Sequence, residues 1–225
     1  MNIWFPWKIY GGMPRLLTME DEREKKEYLS TLFDEVYIKD IVERNQITRE
    51  DILNNILDFL ASQISSLTNP TNIANALTKR YDIKGKSYFE YPNKYYYVDV
   101  GLRNARLNYR QFDPGHIMEN IIYIELLRRG YSVDVGVVTD WTAGKNAQRE
   151  IDFVVNDMDR KIYIQSAFQM ENDRKVSSEK ASLMLTKDFF KKIIVRLDIP
   201  HHFYDEDGIF HCNLIDLLLG RVELF

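Results

Sequence analysis

Apolar residues recur at every third or fourth position through much of the first half of the chain and at every second position through much of the rest. From about Glu20 to Arg44, the positions Tyr28, Leu29, Leu32, Phe33, Val36, Tyr37 and Val42 fall on one side among charged residues, which predicts one amphipathic helix. Thr48, with Asp51 three positions on, is a capping signal for a second helix carrying Ile52, Ile56, Leu57, Leu60 and Ile64. Asn69-Pro70-Thr71 opens a third, ending near Lys79. In "YDIKGKSYFEYPNKYYYVDVGL" the turn signals Lys84-Gly85 and Pro92-Asn93 separate β-rich runs, which predicts a hairpin. A helix from about Gly115 to Arg129 is apolar nearly all round through Ile117, Met118, Ile121, Ile122, Ile124, Leu126 and Leu127, so it packs on more than one side. Strands are expected at "YSVDVGVV", "EIDFVV", "KIYIQSAF" and "KIIVRLD", with a helix from about Ser178 to Phe190 before the last. A final strand at "GIFHC" and a short helix at "LIDLLLG" follow. The class is α/β (α+β): a helical region over residues 1–100, then a mixed sheet flanked by helices over residues 101–225.

Composition narrows the chemistry. The chain has 225 residues, 45% of them hydrophobic, enough for at least one sizeable core. A formal charge of -4 supplies no overall basic excess for tight, salt-sensitive binding to nucleic acid, although a local patch that docks DNA remains open. The single cysteine, Cys212, excludes an intrachain disulfide and a multi-cysteine zinc cluster, and suits a reducing cytosol. The opening "MNIWFPWKIYGGMPRLL" has no leader pattern, and no apolar run approaches the roughly 20 residues of a membrane span, so the expected location is cytoplasmic.

Two stretches invite a chemical reading. Gly85-Lys86-Ser87 ends like a phosphate-binding loop, but the glycine such a loop needs five positions earlier is Arg80. It is read as a hairpin turn. The second stretch, "REIDFVVNDMDRKIYIQSAF", has Asp152 opening one strand and Gln165 and Ala167 two apart on the next, hence on one face. Endonucleases of the restriction-like fold hold a hard cation between an acid on a leading helix, an acid on one strand and an acid-any-lysine triplet on the next. Glu119 takes the helix position, Asp152 the strand position, and Gln165 and Ala167 stand for the triplet's acid and lysine. Glu150 shares the strand face of Asp152 and is a third candidate ligand. Glu125, six residues beyond Glu119, is turned about 120° away. The cofactor implied is Mg²⁺, held weakly by Glu119 and Asp152, and the lysine position, Ala167, cannot activate water. Lys161, Lys175 and Lys180 are candidates for a relocated lysine. His201 and His202, beside Pro200, read as a solvated loop, and His116 and His211 show no second ligand at helical or strand spacing.

"YGGMPRLL", "EYLSTLFDEVYIKDIVERN", "ASQISSLTNPTNIANAL", "YDIKGK", "KYYYVDVGLRNA", "GHIMENIIYIELLRRGY", "EIDFVV" and "IYIQSAF" together resemble, in that order, the carboxyl-terminal half of a group of predicted prokaryotic AAA+ superfamily ATPases. The resemblance implies a winged-helix-like region followed by a domain of unknown function similar to the restriction-endonuclease fold, whose PD-(D/E)xK triplet carries glutamine in one subgroup. This chain lacks the ATPase module, so no ATP hydrolysis is expected. It also runs from Thr78-Lys79 almost directly into Tyr81-Asp82, where the resemblance calls for a recognition helix. The winged-helix-like region is thus read as partial, and DNA has no helix to meet there. The leading expectation is a non-catalytic remnant that serves as an interaction or nucleic-acid-docking module. The alternatives are a divergent Mg²⁺-dependent DNA endonuclease, and an accessory subunit that binds a separate ATPase chain or self-associates through Trp4, Phe5 and Trp7.

Overall fold

A computed structural model describes residues 4–68, 93–140, 147–170 and 173–225. The helix expected from Asn69 to Lys79, the Lys84-Gly85 turn and Gly85-Lys86-Ser87 lie outside the described residues. The chain divides into two compact units, Met1–Asn120 and Ile121–Phe225.

The first unit is helical. Helix α1 covers Trp4–Tyr10, and a 3-10 turn follows over Pro14–Thr18. The single helix expected from Glu20 to Arg44 is a continuous helical run of three parts: α2, Glu22–Thr31, a π-helical segment, Leu32–Ile38, and α3, Lys39–Asn45. Asp21 caps it through the Arg23 amide, and Gln46 ends it in the left-handed region at φ 50. The widened segment sets Phe33 and Ile38 into one apolar cluster with Leu29, Leu16 and Tyr10. Helix α4, Glu50–Ser62, follows, and a short antiparallel ladder pairs β1, Leu67–Thr68, with β2, Asn93–Lys94.

The run "YYYVDVGL" is not the extended strand expected. Asp99 stops it by accepting the Gly101 and Leu102 amides and so starting helix α5, Val100–Arg106. The same carboxylate accepts the Gly12 amide at 2.7 Å. The chain leaving α1 therefore passes directly over the start of α5. A Cβ on Gly101 would stand 1.9 Å from the Tyr10 carbonyl oxygen, and Gly11 turns at φ +74, so both positions need glycine. The polar residues of "GLRNA" also serve the fold. Arg103 is buried, giving its Nε to the Ala61 carbonyl and its Nη1 to that of Gln111, while the Asn104 amide nitrogen donates to the Lys8 and Ile9 carbonyls. These bonds satisfy the carbonyls at helix ends that burial would otherwise leave unpaired.

Helix α6, Pro114–Arg128, is the expected apolar helix, capped by Asp113 and closed by Gly130 at φ +85. The division between the units falls within it. In the second unit the sheet runs in the order β3 (Ser132–Asp140), β4 (Ala147–Asp157), β5 (Arg160–Ala167), β6 (Lys191–Arg196), β8 (Phe210–Asn213), β7 (Phe203–Tyr204). Strands β5, β6 and β8 are parallel neighbours, and the other pairs are antiparallel. The fold is thus a mixed α+β arrangement. The crossover from β5 to β6 is α7, Asp173–Met184, earlier than the Ser178–Phe190 expected; Phe189 and Phe190 lie beyond it and are exposed. Leu183 and Val176 of α7 cover Ile151, Tyr163, Ala167 and Ile194. Helix α8, Leu214–Leu218, ends the described elements, capped by Asn213. Burial pushes the Cys212 thiol up to about 12, which leaves it an inert core residue.

Opposite α7's last turns, Asp205 gathers the Lys180 ammonium at 3.0 Å, His211 Nε2 at 3.0 Å and the Ile209 amide. Burial alone would raise this carboxyl; the hydrogen bonds prevail and hold it down at about 2.

Two outcomes follow from these contacts. Replacing Asp99 by alanine removes the acceptor of three amides, two of them half-buried, and lowers stability by about 2 kcal/mol, read as a shift of the urea midpoint; an unchanged midpoint excludes this account. The contribution of Asp205 is complete above its usual pKa of 3.8 and is lost as pH falls through about 2. Asp205→Asn therefore lowers stability at pH 7 by on the order of 1–2 kcal/mol and flattens the decline between pH 4 and pH 2. A variant whose acid limb matches that of the unaltered protein contradicts the assignment.

Candidate metal centre on a helix and a bulged strand

The last two turns of α6 are anchored on the sheet, where the Tyr123 ring stacks on Phe153 of β4 with centroids 6.2 Å apart. Glu119 stands one turn earlier on the same helical face as Tyr123, and its side chain is buried. Glu125 is also buried but is committed to Arg128 and Arg129 at 2.7 Å each. Burial alone would raise its carboxyl, and the two guanidiniums bring it below the usual range. Its separation from Glu119 is the one expected from the helical step.

A bulge in β4 orients the strand acids. Asp134 pairs with Val154 and Gly136 with Ile151, so Asp152 and Phe153 together oppose one residue of β3. Ile151 and Val154, three apart, consequently both join the apolar cluster under α7. Phe153 faces α6, and Glu150 and Asp152 turn the same way. One carboxylate oxygen of Glu150 lies within 4.8 Å of one of Asp152. Gly136 makes the bulge possible: a Cβ there would meet Val154 Cγ2 at 2.8 Å and Ile151 Cβ at 3.0 Å. The bulge breaks the ladder locally, and side chains supply the missing partners. Asp152 Oδ2 accepts the Ser166 amide at 2.8 Å, and the Asp152 amide donates to Gln165 Oε1 at 3.4 Å.

The side chains of Gln165 and Ala167 both meet α7, and Gln165 also meets the Asp152 amide. Gln165 points along α7, accepting from Ser182 Oγ and donating to Glu179 Oε2. An acid at 165 would bring a second negative charge against Glu179, which gives glutamine a structural reason to stand there. Ala167 is 1% exposed and packs with Ile151, Leu183 and Ile194. Among the lysines expected as substitutes, Lys180 binds Asp205 and Asp207, Lys175 pairs with Glu179 at 2.6 Å, and Lys161 lies over the Phe190 ring.

The lysine that the sequence reading missed is Lys94. Its side chain is 4% exposed and its ammonium lies 2.7 Å from Glu119 Oε1, the oxygen that also accepts the Tyr96 hydroxyl at 2.9 Å. Lys94 and Tyr96 are two apart in an extended segment and so share a face. That alternation in "NKYYY" was the available signal; the helix it meets was not visible locally. Of the opening aromatics, Trp4 is buried and Trp7 half-buried, while the side chain of Phe5 is outside the described residues. His116 sits 3.1 Å from Asp113, and His201 and His202 are in an exposed turn.

Residues 4–91 match the family model of a domain of unknown function, DUF8612. An uncharacterized protein of Haemophilus influenzae is 33% identical over 97% of this chain and 58% of its own length. The uncharacterized protein MJ1544 of Methanocaldococcus jannaschii is 26% identical over 80% of this chain and 45% of its own. The chain thus spans about half the length of the curated relatives it matches. Among the described residues, no helix is long and apolar enough to cross a membrane.

The bulge account is tested at Gly136. Gly136→Val forces branched carbons into Val154 and Ile151 and shifts Asp152; a divalent ion that stabilises the unaltered protein then gives less than half its rise in melting temperature. An equal rise in the variant removes the bulge from the argument.

Proposed function

We propose that this chain binds a divalent cation through Glu119, Glu150 and Asp152 and is a metal-dependent nuclease of the restriction-endonuclease-like type, belonging with the carboxyl-terminal half of the AAA+ superfamily ATPases it resembles. The observation that supports the reading is the pair of strand carboxylates, Glu150 and Asp152, with oxygens within 4.8 Å of one another, beside the buried acid Glu119 on the preceding helix in the sequence. Hard cations are held by such oxygen sets, with water completing the shell. The order of parts agrees: an acid on an apolar helix, then acids on the strand whose neighbour in the sheet carries Gln165.

The expectation of a non-catalytic remnant rested on the lost lysine position, the lack of a phosphate-loop pattern and the acidic balance. Gln165 and Ala167 are both engaged with α7 and its apolar cluster, and Gln165 Oε1 also accepts the Asp152 amide. The acids suit phosphodiester hydrolysis, where a cation draws charge from a phosphate oxygen and lowers the pKa of bound water.

Isothermal titration with Mn²⁺, Mg²⁺ and Ca²⁺ tests the reading, together with cleavage of supercoiled, linear and single-stranded DNA. The expected result is one saturable site that Asp152→Asn and Glu119→Gln each weaken at least about 10-fold, and Mg²⁺- or Mn²⁺-dependent cleavage that Asp152→Asn abolishes. Absence of metal binding at millimolar concentration overturns the proposal. Metal binding without cleavage of any nucleic acid returns the chain to the docking-module reading.

A further inference from the structure

The second unit contains a buried hydroxyl that the fold leaves without a hydrogen bond. Among the described residues, Ser166 Oγ has no donor or acceptor within reach and is shielded from solvent. A serine hydroxyl rotates freely and carries one donor and two lone pairs, so burial without any partner is uncommon and marks an oxygen with another use. We propose, resting on the cation-binding part of the reading above, that Ser166 Oγ is a ligand oxygen of the same cation, which forms a centre from Glu150, Asp152 and Ser166 on two adjacent strands of the second unit.

The register of the sheet places the hydroxyl. Val155 pairs with Ile162 and Phe153 with Ile164, so these side chains share the side on which Tyr123 stacks against Phe153. Ser166 is two residues beyond Ile164 and points to that side as well, whereas Gln165 and Ala167 point to α7. The bulge turns Asp152 to the side of Phe153, and its carboxylate then reaches the Ser166 backbone: Oδ2 accepts the Ser166 amide at 2.8 Å. A single rotatable bond separates that backbone from Oγ, so the hydroxyl stays beside the Asp152 carboxylate. One oxygen of Glu150 lies within 4.8 Å of one of Asp152. Across the ladder on β6, Ser166 pairs with Val195, which is wholly buried and offers no polar atom from its side chain. The strand acids are the polar side of the hydroxyl's surroundings, and the aliphatic neighbour is the other.

The donor set suits a hard cation. Mg²⁺ and Mn²⁺ take charged and neutral oxygens together and keep several waters. Two carboxylates and one hydroxyl offer three oxygens from one side and leave the other positions to water or a phosphate oxygen. The hydroxyl contributes a lone pair and keeps its proton, so it adds a ligand without adding negative charge to the acids. Ser166 stands between Gln165 and Ala167, at the place that a comparison with the acid-any-lysine triplet treats as free to vary.

The test is isothermal titration of the full chain with Mn²⁺ and with Cd²⁺, alongside the melting temperature without metal. Ser166→Ala is expected to bind Mn²⁺ about 10-fold or more weakly. Its metal-free melting temperature is expected to be no lower than that of the unaltered protein, because the hydroxyl removed has no partner to lose. Ser166→Cys sets a soft sulfur at the same place and shifts the ratio of Cd²⁺ to Mn²⁺ affinity at least about 10-fold toward Cd²⁺, with a thiolate-to-cadmium charge-transfer band in the ultraviolet that the unaltered protein lacks. Unchanged Mn²⁺ binding by Ser166→Ala, with binding lost in Asp152→Asn, overturns the role of Ser166 and leaves the cation reading standing. Weaker Mn²⁺ binding by Ser166→Ala that comes with a lowered metal-free melting temperature, or without a cadmium shift in Ser166→Cys, assigns the serine to packing and also overturns it. If the unaltered protein binds no Mn²⁺, both proposals fall.

Discussion

One extra residue in β4 governs the arrangement of this molecule's acids. A strand with strict alternation puts Asp152 and Phe153 on opposite sides, so only one of them could share the side of α6. The bulge cancels one step of that alternation. Asp152 joins Phe153 on the side of α6, while Ile151 and Val154 both stay with the apolar cluster. The crowding of an extra residue is accommodated by Gly136 across the ladder, and the backbone groups released from pairing find the Asp152 carboxylate and the Gln165 carbonyl. Glutamine at 165 thus has a structural task that its place in a nuclease-like motif conceals.

The helix facing this strand carries the converse problem. Its apolar residues leave almost no wet side, yet Glu119, Asn120 and Glu125 are all buried within it. Each is satisfied differently: Glu125 by two arginines of the following turn, Asn120 by both backbone groups of Tyr97, Glu119 by Lys94 and Tyr96. Breaking any of these leaves a polar group stranded in a low dielectric, which costs more than the bond contributes when made. The acid of the proposed site is consequently held by the same contacts that hold the chain to the helix.

Burial also separates motifs that look alike on paper. "DVGLRNA" has the density of charged and amide groups expected of a binding loop. In the fold, Asp99 caps one helix and ties down the end of another, Arg103 collects carbonyls, and Asn104 fastens α1. The glycine within it, Gly101, marks a close approach of two backbones rather than a cradle for a ligand. "NKYYY", immediately before it and without any motif, presents the buried ammonium.

The sequence by itself determined the elements whose cause is local. The apolar spacing of residues 115–129 and the alternation in "EIDFVV" and "KIYIQSAF" were legible, as were the glycine stop at Gly130 and the turning apart of Glu119 and Glu125, because helical and extended backbones impose fixed periods on side-chain direction. Tertiary structure decided where those periods fail. Asp99 converts an aromatic run into a helix start only because the α1 end lies over it. A π-helical segment interrupts α2 and α3 where Phe33 and Ile38 must both reach one cluster. The bulge at Asp152 depends on the glycine across the ladder, and Lys94 meets Glu119 from 25 residues away. Such meetings depend on which faces the packed chain brings together, and no local period records that.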